Sequence, residues 1–202
     1  MNNSEVAVLG GGCFWCIYAV FKRVKGVQKV ISGFSGGELK NPTYKEVYTG
    51  TTGHAEVVQV TFDPEVISYE NLLRIYFNVH DPTLLNRQND EDVGTHYRSV
   101  IFYLSEQQQK TALALIKELE ESKYYKDPIV TKVDKFEEFY PAEDYHQNYF
   151  DINPEQRYCK AVVEPKLKKF LIKYKDYLKQ EEEELKQKQL QQEQQQQQQS
   201  QQ

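Results

Sequence analysis

Apolar positions along this chain follow two rhythms, one of period two and one near 3.6. Val6 to Leu9 is a short apolar run that reads as a strand, and Cys13 to Val24 follows with Phe14, Ile17, Phe21 and Val24 on one helical stripe. Val27 to Phe34 returns as a strand. After a loop rich in Gly, Asn and Pro, His54 to Phe62 alternates as a strand, Ser68 can cap a helix through Phe77, and Ser99 to Leu104 is a further strand. That order, β-α-β-β-α-β, is the split βαβ of ferredoxin-like folds. It predicts an α+β fold, a two-layer sandwich of an antiparallel-containing sheet with helices packed on it. A helix near Ser105 to Glu121, a strand at Ile129 to Val133, mostly irregular chain to Tyr158 and a Lys-rich helix from Lys166 complete the pattern. From about Gln180 the chain passes through Glu181 to Glu184 into glutamine-dominated sequence. A Gln tract cannot bury apolar area to offset its ordering entropy, so residues 1–180 are expected to form one domain and 181–202 a solvated, disordered tail.

Composition narrows the function classes. The 202 residues are 39% hydrophobic and 13% aromatic, enough to fold. Lys and Arg number 25 against 30 Asp and Glu, a net charge of −5, which leaves little to neutralise phosphates and argues against nucleic acid as a partner. The longest apolar run, Cys13 to Phe21, is far below the roughly 18 residues of a spanning helix, and Met1 to Glu5 has no basic signal-peptide start. A soluble, cytoplasmic protein without membrane attachment is expected. Three cysteines are an odd count and too few for a disulfide scaffold, so in a reducing compartment they serve chemistry or core packing.

Two motifs fail on inspection. Gly10-Gly11-Gly12 follows a strand and opens a helix, but the third Gly of a dinucleotide fingerprint is absent. Gly33-Phe34-Ser35-Gly36-Gly37 spells G-x-S-x-G, yet Asn41-Pro42 prevents the helix that a nucleophile elbow requires. Cys13-Phe14-Trp15-Cys16 is different, because it sits where a strand ends and a helix begins. Unpaired N–H groups and the helix dipole favour an anion there, which predicts a lowered thiol pKa at Cys13. The alternatives are a buried inert thiol and half of a zinc site, and for zinc neither Cys159 nor the four histidines offer ligand spacing. Glu56 is the second signal. Alternation puts it on the face of Val58, Val60 and Phe62, where burial raises a carboxyl pKa and makes a proton donor; an edge position tilting into water is the alternative.

With these residues in place, the chain resembles the peptide methionine sulfoxide reductase A family. The resemblance rests on Gly11-Gly12-Cys13-Phe14-Trp15, Asn41-Pro42-Thr43-Tyr44, Thr52-Gly53-His54-Ala55-Glu56, His80-Asp81-Pro82-Thr83, Asp92 to Ser99 and Ala142-Glu143-Asp144-Tyr145-His146, in the family's order. It implies a ferredoxin-like core with long active-site loops and reduction of the S epimer of methionine sulfoxide, free or in proteins. Carried over by position, it makes Cys13 the nucleophile and Glu56 the acid. Tyr44 and Tyr97 would hold the sulfoxide oxygen, Asp92 would support the polar network, and Phe14 with Trp15 would cradle the methyl group. No cofactor or metal is implied, and the reductant would be thioredoxin or another dithiol. A monomer is expected.

Two departures from the family pattern bear on the site. Asn89-Asp90-Glu91 makes the loop before Asp92 one residue longer, which raises Asp90 as a competitor for the role of Asp92. In place of a Gly-rich tail with a resolving cysteine, Tyr158-Cys159 leads into Val162, Val163 and the Lys-rich helix. Both Cys16, at C-x-x-C spacing, and Cys159, at the position the family often uses, are candidates to resolve a sulfenic acid, with the family pattern favouring Cys159. Two rival functions are a thioredoxin-like disulfide oxidoreductase using Cys13 and Cys16, and a partner-binding protein with an inert Cys13.

Overall fold

The computed structural model describes residues 3–180, so the expectation for the tail lies outside the described residues. Six strands form one sheet in the order β5-β4-β1-β3-β2-β6. They are β1 (Glu5–Gly10), β2 (Val27–Ser35), β3 (Ala55–Phe62), β4 (Val100–Tyr103), β5 (Lys132–Lys135) and β6 (Phe139–Pro141). Neighbours are antiparallel except β4 and β5, which run parallel. The helices are α1 (Phe14–Phe21), α2 (Tyr44–Tyr48), α3 (Tyr69–Val79), α4 (Glu106–Glu121), α5 (Tyr149–Ile152) and α6 (Glu164–Lys173). This is a mixed α+β architecture.

Period-two alternation divides the strands between two apolar layers. Ala7 and Leu9 of β1, Val58, Val60 and Phe62 of β3 and Ile101 of β4 join the main core with α1, α3, α4 and α6. Val8, Ala55, Val57, Val100 and Phe102 form a smaller cluster on the opposite face. Ser68 caps α3 by accepting from the Asn71 N–H, as its position predicts, and Ser105, expected within the helix, caps α4 by accepting from the Gln108 N–H.

Several elements differ from the sequence pattern. Helix α1 ends at Phe21 rather than Val24, because Val24 pairs with Leu178 in an isolated bridge and Lys25 donates to the Tyr177 carbonyl at 2.7 Å. The strand expected at Ile129 to Val133 starts at Lys132; Val130 instead donates to the Pro82 carbonyl at 2.8 Å. Chain expected to be irregular holds β6, whose Tyr140 pairs with Phe34 of β2, and the short α5. Asp151 of α5 binds Lys22 and Arg23 at the end of α1, at 2.5 and 2.6 Å, which fixes α5 beside the first helix. Among the described residues no helix is long and apolar enough to cross a membrane.

Candidate active site

The loop from β1 to α1 is held residue by residue. Gly10 accepts at its carbonyl from the Tyr76 hydroxyl at 2.8 Å, and Gly11 lies against the His80 ring, which a Cβ there would meet at 2.8 Å. Gly12 has φ of +81°, its N–H donates to the Tyr97 carbonyl at 3.1 Å, and a Cβ would lie 2.3 Å from Gln88 Oε1. Only glycine meets both demands. Cys13 follows as the N-cap of α1, 5% exposed.

A helix start offers four free N–H groups, and here three of them are taken up by groups other than the thiol. Cys13 N–H donates to Gln88 Oε1 at 3.0 Å, Phe14 N–H to Glu56 Oε2 at 3.0 Å, and Cys16 N–H to the Cys13 carbonyl at 3.1 Å. The Trp15 N–H favours an anion at the Cys13 thiol. That division corrects the expected lowering of the Cys13 pKa. Burial pushes the thiol well above its ordinary value, the Cys16 thiol beside it pushes the same way, and the Trp15 N–H and Tyr158 hydroxyl oppose them. Cys16 moves the other way: its hydrogen bond with Cys13 lowers it against burial, and the Lys166 charge helps.

Glu56 is 1% exposed on the apolar face of β3, opposite Phe34 of β2. Burial, then the adjacent Cys13, raise its pKa well above the ordinary carboxyl range, against the Phe14 N–H that favours its anion. The edge alternative is thus removed, and the carboxyl group and the thiol share one enclosed site. Tyr44 and Tyr97 both feel the same two groups. Burial, then the Glu56 charge, raise both phenols, with Cys13 adding to each, so both stay protonated.

Local structure explains why the phenols stand there. Tyr44 opens α2, whose N-cap Thr43 forms a capping box with Glu46, and its own N–H donates to Glu143 Oε1 at 3.1 Å. Tyr97 ends a 3-10 turn that begins after Gly94, whose φ of +147° excludes other residues and whose Cβ would meet the His96 ring at 2.4 Å.

Asp92 stands one step back from the thiol. Its Oδ2 accepts from Gln88 Nε2 at 2.8 Å, Asn89 Nδ2 at 3.0 Å and the Tyr158 hydroxyl at 2.8 Å, and Gln88 carries the link to Cys13 N–H. Asp90 is excluded, since its side chain is 98% exposed and pairs with Arg87 at 3.5 Å.

Phe14 is fully buried, 5.7 Å from Phe34 and 6.2 Å from Tyr44 between ring centres. Trp15 is half-buried, stacked on Tyr149 at 3.7 Å, and its indole N–H donates to His146 Nδ1 at 3.2 Å. All three cysteines are free and buried. The Cys13 and Cys16 thiols act on each other's ionisation, and Cys159 feels Cys13 through its charge.

Gln88, Tyr158, His146 and Lys166 complete the site without having been singled out in the sequence. His146 lies inside the Ala142-Glu143-Asp144-Tyr145-His146 motif, and Tyr158 beside Cys159. For Gln88 and Lys166 no sequence signal existed, since their contacts bridge 75 and 78 positions.

A family model described as peptide methionine sulfoxide reductase matches residues 5–177. A relative from Sulfolobus acidocaldarius named peptide methionine sulfoxide reductase MsrA is 58% identical over 172 residues, 85% of this chain and 96% of its own length. One of the same name from Polynucleobacter asymbioticus is 53% identical over 174 residues, 86% of this chain and 91% of its own. Among solved structures, Mxr1 from Saccharomyces cerevisiae in reduced form superposes with a TM-score of 0.70 at 32% identity, covering 77% of this chain and 89% of that one.

Proposed function

The chain belongs to the peptide methionine sulfoxide reductase family, and from that premise we propose that this oxidoreductase reduces the S epimer of methionine sulfoxide, free or in proteins. Cys13, a neutral thiol at rest, gives up its proton to attack the sulfoxide sulfur as a thiolate while Glu56 passes its own proton to the oxygen, which Tyr44 and Tyr97 hold by hydrogen bonds, and the released thiol proton restores Glu56. The attack joins the two sulfurs; that bond and the substrate S–O bond then break as a bond forms between the Cys13 sulfur and the oxygen, so methionine leaves and Cys13 is left as a sulfenic acid. Phe14 and Trp15 receive the methyl group, for which aromatic faces suit a thioether-like sulfur. Asp92 holds Gln88 and Tyr158 in place around the thiol.

The observation that carries this reading is the Phe14 N–H bond to Glu56, which ties a buried acid to the residue next to the nucleophile. A thioredoxin-like disulfide reductase would need the C-x-x-C pair but would leave Glu56, Tyr44 and Tyr97 without a task. The test is release of dabsyl-methionine from its sulfoxide beside reduction of insulin disulfides. We expect turnover of the first by the native protein, none by Cys13→Ser, and little of the second; the reverse preference would refute the assignment.

Resolution is assigned to Cys16, whose N–H bond to the Cys13 carbonyl sets the one-turn spacing that a disulfide needs. Thioredoxin or a similar dithiol then reduces that disulfide. The inner order β4-β1-β3-β2, antiparallel throughout, supports a ferredoxin-like reading of the sheet with α1 and α3. Free thiols of this kind persist in a reducing compartment, which supports a cytoplasmic location.

A further inference from the structure

Lys166 has no part in the scheme above, yet it reaches the site. It lies near the start of α6, half-buried, where the buried Leu167 and Phe170 fix the helix against the core. Its ammonium donates to Gln88 Oε1 at 2.6 Å, the same oxygen that accepts from Cys13 N–H at 3.0 Å. Only the Gln88 amide separates this cation from the first residue of the C-x-x-C pair.

The groups that act on Cys16 come from several elements: Cys13 at the helix start, Glu56 from β3, Asp92 from the loop before β4, and Lys166. Tyr158 and His80 also adjoin the cluster, and burial holds His80 down to about 4, so it is neutral at physiological pH. Lys166 is the only lysine or arginine in this set. Asp92 and Glu56 work against an anion at Cys16, and Lys166 works for one.

We propose that Lys166 is a positioning residue for the second half of the reaction: anchored on Gln88, it presents its charge to the C-x-x-C pair so that Cys16 attacks the Cys13 sulfenic acid efficiently near neutral pH. This rests on the assignment of Cys16 as the resolving thiol. In the step, a bond forms between the two sulfurs and the Cys13 S–O bond breaks. The Cys16 sulfur is oxidised, the Cys13 sulfur is reduced, and the oxygen leaves as water with a proton taken from solvent.

The test uses the full chain in a single turnover with S-methionine sulfoxide and no dithiol, quenched at intervals by alkylation and read by mass. It follows methionine, sulfenic acid and the Cys13–Cys16 disulfide across the neutral pH range. Lys166→Gln removes the charge but keeps a donor for Gln88, Lys166→Met removes both, and Lys166→Arg restores the charge. We expect disulfide formation at pH 7 to slow about tenfold in the Gln and Met variants, the effect of about one pKa unit on the attacking thiol. Its pH midpoint should move upward, and the Arg variant should return it. Methionine formation should lose less than disulfide formation. Profiles that superimpose on the native one, or equal losses in both steps, would overturn the proposal. A Cys16→Ser arm separates the two readings. If that variant forms an internal disulfide at the native rate, the Cys16 assignment fails and the role of Lys166 falls with it. If it stalls at the sulfenic acid while the Lys166 profiles superimpose, the role of Lys166 alone fails.

Discussion

Burial keeps the Tyr44 and Tyr97 phenols protonated beside Cys13, so each can donate to a developing charge on oxygen without first losing its own proton. Removing one such donor costs about 10²-fold or more in the chemical step where water is excluded. Tyr97 is 7% exposed and Tyr44 only half-buried, so Tyr97→Phe should lower the single-turnover rate more than Tyr44→Phe. Equal native rates in both variants would remove the phenols from the mechanism. What the sequence disclosed at this scale was the side of the strand on which each residue lies. Glu56 falls on the face of Val58 and Val60 by alternation alone. The electrostatics of Cys13 were not legible, because the partners that take its N–H and that of Phe14 stand 75 and 42 positions away.

At the scale of elements, two short segments decide whether those side chains converge. The Gly12 turn lets Gln88 approach the start of α1, and a Cβ there meets Gln88 Oε1 at 2.3 Å in a backbone conformation that costs an L residue about 1–2 kcal/mol. Gly12→Ala is expected to lower stability by at least that amount in a urea titration and to slow methionine formation as Gln88 is displaced. A variant with native midpoint and rate would contradict this account of the loop. In α2 the capping box is the support of Tyr44, and Thr43→Ala should cost about 1 kcal/mol of stability and raise KM for the sulfoxide. An unchanged KM would mean that Tyr44 is held by Glu143 and packing alone. Elements with their own local signals, such as the Ser68 cap of α3 and the alternation of β3, follow from sequence. Strand β6 and the exact bounds of β5 do not, since each strand is short and owes its position to one distant partner strand.

For the molecule as a whole, the buried Glu56 weakens the fold as pH rises. Glu56 has its pKa raised in the folded state from an ordinary value of 4.5. Its contribution to stability is complete below that ordinary value and is lost as pH climbs toward the folded one. Urea midpoints at pH 5 and pH 8 should therefore show the native protein losing ground to Glu56→Gln, and a constant difference would deny the buried acid. The described fold ends at residue 180, and the matched family model ends at 177. Deleting 181–202 is expected to leave both the unfolding midpoint and methionine formation unchanged, which thermal unfolding and a single-turnover assay would check.

The most direct test joins the acid to the thiol. Reduced protein is mixed with S-methionine sulfoxide without dithiol, and the initial rate of methionine release is compared between the native chain and Glu56→Gln as pH is raised. If a neutral Glu56 gives its proton to the oxygen while Cys13 attacks, the native advantage is large at low pH and shrinks as Glu56 ionises. A ratio that stays flat across that range would contradict the account.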